Sequence, residues 1–294
     1  MNWRGGRPWK KYYVPRPMLT YIFNLRLNYL LLFIGVFVFQ YSAKSQTNDS
    51  IPDHDNFIIR SKHVEEDRVI NVWTPPNYED NKNRFPVLYM PDGGVKEDFP
   101  HIANTLAKLI SNKDIPPHIL VGIENTVRTR DLTGFSEVPE DEQYCPLTDG
   151  ASNFRDFIIK ELIPEINKKY RTTKKRAIIG ESLAGLFVVE TMLLKPNAFN
   201  HYIAMDPSLW WNDHYLVKNS VSLIENFPKK QMSFWFAGSN AEDIHMYTRM
   251  LKKTFEANAP ETFKWHYSDE PGELHNTIFR ATKEKALIWS LNSF

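Results

Sequence analysis

Beyond residue 55, short apolar runs alternate with longer amphipathic ones. FIIRSKHV (57–64) and RVINVWTP (68–75) alternate apolar with polar positions in steps of two and are rich in Ile, Val and Trp. That pattern predicts two strands, made antiparallel by the polar turn Glu65-Glu66-Asp67. PVLYM (86–90) reads as a buried strand closed by Pro91-Asp92-Gly93-Gly94. Ile102, Leu106 and Ile110 then fall at helical spacing over Phe99–Ser111. HILVGI (118–123) is the next strand, followed by a long polar loop to about Ala151. An amphipathic helix is predicted over Asn153–Tyr170, kinked or restarted at Pro164. RAIIG (176–180), HYIAM (201–205), QMSFWFAG (231–238) and FKWHY (263–267) are further strands. Helices are predicted over 182–193, 242–258 and 277–291. An antiparallel start followed by strands that alternate with helices is the pattern of an α/β protein with a mostly parallel sheet covered on both faces. No internal repeat or linker interrupts 56–294, which reads as one domain.

The N-terminus follows another rule. Residues 1–45 hold seven basic residues and no acidic one, and LLLFIGVFVF (30–39) is a short apolar core. Ala43 and Ser45 place small side chains just before Gln46. This order is that of a cleaved signal peptide over 1–45, followed by a short leader over 46–55. The apolar run is shorter than the roughly 20 residues a spanning helix needs, so no stable membrane span is expected after cleavage. An uncleaved anchor is the alternative. The basic region is long for a signal, and MLTYIFNLRLNYLLLF makes Met18 a candidate start.

This split changes the charge. The whole chain of 294 residues carries 36 Lys+Arg against 35 Asp+Glu, a net +1. Without residues 1–45 it carries 29 against 35, a net −6 over 249 residues. Neither balance suits a nucleic-acid binder. The lone Cys145 excludes an internal disulfide, a cysteine-based zinc site and an iron–sulfur cluster. No His-Glu-x-x-His, Walker loop or dinucleotide fingerprint is present, so neither metal nor cofactor is implied.

Candidate chemistry centres on IIGESLAG (178–185). A strand ends at Gly180, Ser182 follows one polar residue later, and an apolar helix begins at once. A serine in so sharp a turn needs small residues two before and two after it, here Gly180 and Ala184. The turn lifts the hydroxyl above the sheet and aims the helix's N–H groups at the same place, which is the nucleophile elbow. A helix-capping serine is the plainer alternative.

A serine nucleophile needs a base, and the base an orienting acid, in the chain order Ser, acid, His. Of the five downstream histidines, His275 lies in the loop between the last strand and the last helix, where it can reach the elbow. The acid is ranked Glu242, Asp243, Asp206. The first two follow strand FWFAG and the third follows HYIAM. An oxyanion hole requires two backbone N–H donors. Leu183 should give one and the Gly93-Gly94 turn the other.

RVINVWTPPNY, PVLYMPDGG, ENTVRTRDLT, ELIPEINKKYRT, IIGESLAG, DPSLWWN and ELHNT together resemble the esterase family of α/β-hydrolases that includes esterase D and the enterochelin esterases. The resemblance runs from about residue 56 to the C-terminus. It implies the α/β-hydrolase fold, Ser182 as nucleophile, His275 as base and Gly94 near the oxyanion site. It also implies that Arg130 and the pair Trp210–Trp211 face the substrate cleft. Ala184 stands where the family more often has glycine. Adjacent extended residues point opposite ways, so one tryptophan should pack inward. Arg128 and Arg130 would point the same way if extended, toward an anionic substrate group or into local ion pairs.

The expected function is thus an exported serine esterase that hydrolyses a small-molecule ester through an acyl-enzyme, on a siderophore or carbohydrate ester. An acyltransferase is the close enzymatic alternative. A non-catalytic ligand-binding protein on the same scaffold is the alternative from another class.

Overall fold

The computed structural model describes residues 49–80 and 82–292. The expected signal peptide, its cleavage point at Gln46 and the alternative start at Met18 lie outside the described residues. Eight strands form one sheet in the order β1-β2-β4-β3-β5-β6-β7-β8. They are β1 (Asp55–Arg60), β2 (Asp67–Trp73), β3 (Phe85–Met90), β4 (Ile119–Ile123), β5 (Thr172–Glu181), β6 (His201–Met205), β7 (Met232–Gly238) and β8 (Phe263–Asp269). β2 runs antiparallel to both β1 and β4, and every other pairing is parallel.

β1 stops four residues short of the expected end. The Ser61 hydroxyl accepts the N–H groups of His63 and Val64, and this local turn competes with the ladder.

The pleat distributes the core. Val87, Tyr89, Ile178, Tyr202, Phe234 and Phe236 point to one face, while Leu88, Met90, Ile179, Ile203 and Trp235 point to the other. The second face is covered by α1 (Phe99–Ser111) and α9 (Ile278–Leu291), through Phe99, Ile102, Leu106, Ile278 and Leu287. The first face is covered by the helices between β4 and β8. These are α2 (Arg128–Leu132), α3 (Gly150–Phe157), α4 (Ile163–Lys169), α5 (Leu183–Leu194), α6 (Trp211–Lys218), α7 (Ser220–Ile224) and α8 (Glu242–Asn258).

The helix expected over 153–170 is broken as Pro164 requires. A π-helical turn over Ile158–Leu162 joins α3 to α4, and Pro164 sits in the first turn of α4. There its missing N–H costs little, because first-turn donors lack intrahelical acceptors.

The long loop after β4 is more ordered than its polarity suggested. It contains α2 and a 3₁₀ turn over Pro139–Gln143. Arg68, buried on β2, donates to Asp131 at 2.6 Å and so ties α2 to the sheet. Its guanidinium lies 5.3 Å from the centre of the Phe154 ring. Among the described residues no helix is long and apolar enough to cross a membrane.

Candidate active site

At the end of β5 the chain turns directly into α5. Ser182 occupies the turn with φ 59° and ψ −119°, a conformation costly for a residue with a Cβ. The turn is too tight for a side chain at Gly180, where a Cβ would lie 2.5 Å from the carbonyl carbon of Ala184. The Ser182 N–H donates to the Met205 carbonyl at 3.0 Å, and its own carbonyl accepts from Leu186 at 2.9 Å and Ser208 at 3.1 Å. The turn after β6 is thereby stitched to the elbow.

That turn begins with Asp206, fully buried and also at positive φ (46°). Its carboxylate accepts the N–H and the hydroxyl of Ser239, both at 2.5 Å. It also accepts from His275 Nδ1 at 2.8 Å. The opposite nitrogen, His275 Nε2, lies 3.0 Å from Ser182 Oγ. With Nδ1–H donated to a carboxylate, Nε2 is left to accept the serine proton. The loop carrying His275 is braced by Asn240 N–H to the Glu273 carbonyl (3.0 Å) and by Leu274 N–H to the Thr277 hydroxyl (3.0 Å).

Burial works to lower the pKa of His275. The hydrogen bond to Asp206 and the charges of Glu181, Asp206 and Asp243 outweigh it, and the net shift is upward.

The acid is where the ranking changes. Glu242 and Asp243 open α8 with exposed side chains, and neither is hydrogen-bonded to His275. Asp243 acts on the imidazole only through its field. The exit of β7 supplies Ser239 instead, and Ser239 serves Asp206. The sequence reading missed Ser239 altogether. Its one signal is a hydroxyl residue directly after a strand end.

The oxyanion donors also need correction. Leu183 is the first residue of α5, where N–H groups have no intrahelical acceptor. Gly93 is not available: its N–H donates to the Ile123 carbonyl at 2.9 Å. A Cβ on Gly93 would lie 2.3 Å from Gly122 Cα, so this glycine serves backbone approach to β4. The Gly94 N–H is held by Glu97 Oε2 at 2.7 Å, and Glu97 Oε1 accepts from the Asn125 amide at 2.9 Å.

The two arginines do not point the same way, because they sit on the short helix α2. Arg128 grips Asp92 with two bonds of 2.6 and 2.7 Å. Arg130, expected at the substrate, donates to Asp131 at 2.7 and 2.8 Å and also to Glu66. That bond to Arg130 is the chief reason the Glu66 carboxyl is pulled down to about 2.

The tryptophans divide as expected, one inward and one outward, but not as extended neighbours: Trp210 is helical (φ −69°, ψ −22°) and Trp211 opens α6. Trp211 is buried and donates its indole N–H to the Gly134 carbonyl at 3.0 Å. Trp210 is half-buried and meets exposed Tyr144 edge-on, with ring centres 5.2 Å apart. Asn212, Asp213 and His214 follow in left-handed conformation (φ 51°, 48° and 50°). Asn212 is tied to the preceding long loop through Asp141 (2.9 Å) and the Glu137 N–H (3.0 Å).

This geometry can be set beside known proteins. The family profile described as "Putative esterase" matches residues 61–286. The chain belongs to that esterase family. It is similar to the ferri-bacillibactin esterase BesA of Bacillus subtilis, at 28% identity over 229 residues, covering 71% of this chain and 79% of the relative. Among solved structures, an IroE-like serine hydrolase from Shewanella oneidensis superposes with a TM-score of 0.71 at 26% identity, covering 82% of this chain and 79% of that one. The siderophore hydrolase EstB from Aspergillus nidulans gives 0.71 at 20% identity, covering 83% and 97%, which speaks for the fold. The fold is that of the α/β-hydrolases, and the esterase is a carboxylic-ester hydrolase.

Proposed function

We propose that this esterase cleaves siderophore esters through Ser182, His275 and Asp206, by way of an acyl-enzyme. The observation that carries the reading is the single imidazole bonded at Nδ1 to Asp206 and at Nε2 to Ser182. Ser182 Oγ attacks the ester carbonyl while His275 Nε2 takes its proton. Asp206 keeps the imidazole in the required tautomer and stabilises the imidazolium. The developing oxyanion is held by the Leu183 N–H, joined by the Gly94 N–H once Glu97 releases it. His275 then protonates the leaving alkoxide, and water attacks the acyl-enzyme by the same route in reverse.

Two observations favour a siderophore ester over a sugar ester. A relative matched over 79% of its length is named for a ferric siderophore. Trp210 and Tyr144 form an aromatic edge close to the elbow, because Ser208, two residues before Trp210, donates to the Ser182 carbonyl. Such an edge suits a planar aromatic acyl group. Arg130 enters this reading only where substrate displaces Glu66.

The test is a panel of a catecholate siderophore lactone, methyl ferulate, an acetylated xylose and p-nitrophenyl butyrate. The highest kcat/KM is expected on the lactone, with a free acid as product. A higher kcat/KM on methyl ferulate or on the acetylated xylose would end the siderophore assignment. Transfer of the acyl group to added glycerol in preference to water would mark an acyltransferase.

Export is part of the proposal, supported by the basic, apolar and small-residue order of 1–45. N-terminal sequencing of the mature protein is expected to begin at Gln46. A mature chain that retains 30–39 would make it membrane-anchored.

A further inference from the structure

Glu181, the x of the G-x-S turn, belongs to no part of the mechanism given above, yet it stands against the base. Its Oε1 lies 3.6 Å from His275 Nε2, the nitrogen that also meets Ser182. Its side chain is only 19% exposed. As the last residue of β5 it is fixed by the ladder to Met205, one residue before Asp206. The imidazole is thus set between two carboxylates brought by adjacent strands, Asp206 at Nδ1 and Glu181 near Nε2.

We propose that Glu181 is a positioning residue that backs the Nε2 side of His275 and holds the imidazolium in place for proton delivery to the leaving alkoxide. The proposal rests on the reading of Ser182, His275 and Asp206 as the catalytic apparatus. The physical argument is electrostatic. A carboxylate within about 4 Å of an imidazolium in a partly dry site favours the protonated ring. While His275 carries the serine proton, Glu181 steadies it until the alkoxide departs. The cost falls on the resting enzyme, where a proton held on Nε2 delays formation of the free base. The pair therefore sets how far into the alkaline range the enzyme must go to reach full rate.

The groups around the pair are defined. His275 is faced by Asp206 from the β6 exit, Glu181 from the β5 exit and Asp243 from the start of α8. Glu181 is faced in turn by Asp92, Asp98 and Arg128. Arg128, which also grips Asp92 with two hydrogen bonds, favours the charged form of Glu181. Burial first, and the neighbouring carboxylates after it, push the Glu181 carboxyl up to about 8, against the pull of His275 and Arg128. A carboxyl raised that far is no fixed anion beside His275: below its midpoint the pair holds one proton shared between the carboxyl and Nε2, lost only in the alkaline range, and the two residues titrate as a coupled pair.

The experiment compares wild type with Glu181→Gln in two ways. The first is the pH profile of kcat/KM on p-nitrophenyl butyrate. The second is the NMR titration of ¹³Cε1-labelled histidine, with His275 assigned by the signal lost in His275→Gln. Loss of the carboxylate is expected to move the acid limb of the profile and the His275 midpoint down together by about one pH unit or more. On an aliphatic ester such as ethyl butyrate, whose leaving alkoxide must be protonated, the high-pH plateau should also fall several-fold, because the imidazolium is no longer held in line for delivery. Asp243→Asn, which removes an exposed charge farther off, should move both by much less. An unchanged limb and midpoint in Glu181→Gln would overturn the proposal. If that variant does not fold, Glu181→Asp decides: its shorter arm withdraws the carboxylate from Nε2, and an unchanged midpoint there overturns it equally. The titration needs no substrate. Absence of any ester turnover would therefore defeat the functional reading while the histidine midpoint still reports on Glu181.

Discussion

Ser182→Ala is expected to lower kcat on p-nitrophenyl butyrate by a factor on the order of 10⁶, to the residual rate that binding and the oxyanion donors alone support. Labelling by a fluorophosphonate probe should vanish with it. The variant should remain folded, since the turn is held by backbone bonds from Ser182 to Met205, Leu186 and Ser208 that an alanine keeps. Its thermal midpoint should lie close to that of wild type, and it should still bind substrate, because only the attacking hydroxyl is lost. Loss of turnover and labelling with binding retained separates an enzyme from a binder on the same scaffold. Unaltered turnover in Ser182→Ala, with substrate binding retained, would show that the ester is cleaved elsewhere.

The elbow was legible because everything it needs is local. Gly180, Ser182 and Ala184 are close in sequence, and the apolar runs on either side declare a strand and a helix. The α/β alternation was legible for the same reason, since strand and helix periods are read over windows of ten residues or so. What depends on distant chain was not. The acid is set by strand order: β6 pairs directly with β5, while β7 lies one strand farther out. Neighbouring strands are about 4.8 Å apart, so a carboxylate at the β6 exit reaches the imidazole with a shorter arm than one at the start of α8. Gly93 shows the same limit. Its role is to let the backbone of β4 come close, and Gly122 and Ile123 are some thirty residues away. Helices α6 and α7 were missed because Asn212–His214 and Asn219 interrupt any periodic pattern. The ion pairs of Arg128 and Arg130 were open to either reading until α2 fixed their directions.

Asp206→Asn is expected to cost about 10⁴-fold in kcat, while Glu242→Gln leaves kcat within about twofold of wild type. The argument turns on hydrogen-bond donors. Asp206 accepts three bonds, from the Ser239 N–H, the Ser239 hydroxyl and His275 Nδ1. An asparagine in its place has one acceptor oxygen, which the Ser239 N–H would claim. Its amide then turns N–H groups toward the imidazole. A donor facing Nδ1 forces the ring to carry its proton on Nε2, where it cannot accept one from Ser182. Asp206 is fully buried, so the asparagine cannot turn out into solvent, and the fold should survive because the volume is unchanged. Glu242 is exposed at the head of α8 and touches neither ring nitrogen, so its charge should matter only through a screened field. The pH profile adds a second discrimination. Removing Asp206 takes away an anion that raises the pKa of His275, so the acid limb of whatever activity remains should move to lower pH. Glu181→Gln should move the limb in the same sense yet leave a substantial plateau. Collapse of the plateau in Asp206→Asn alone would identify the β6 carboxylate as the one that fixes the tautomer. A collapse in Glu242→Gln would instead return the acid to the exit of β7.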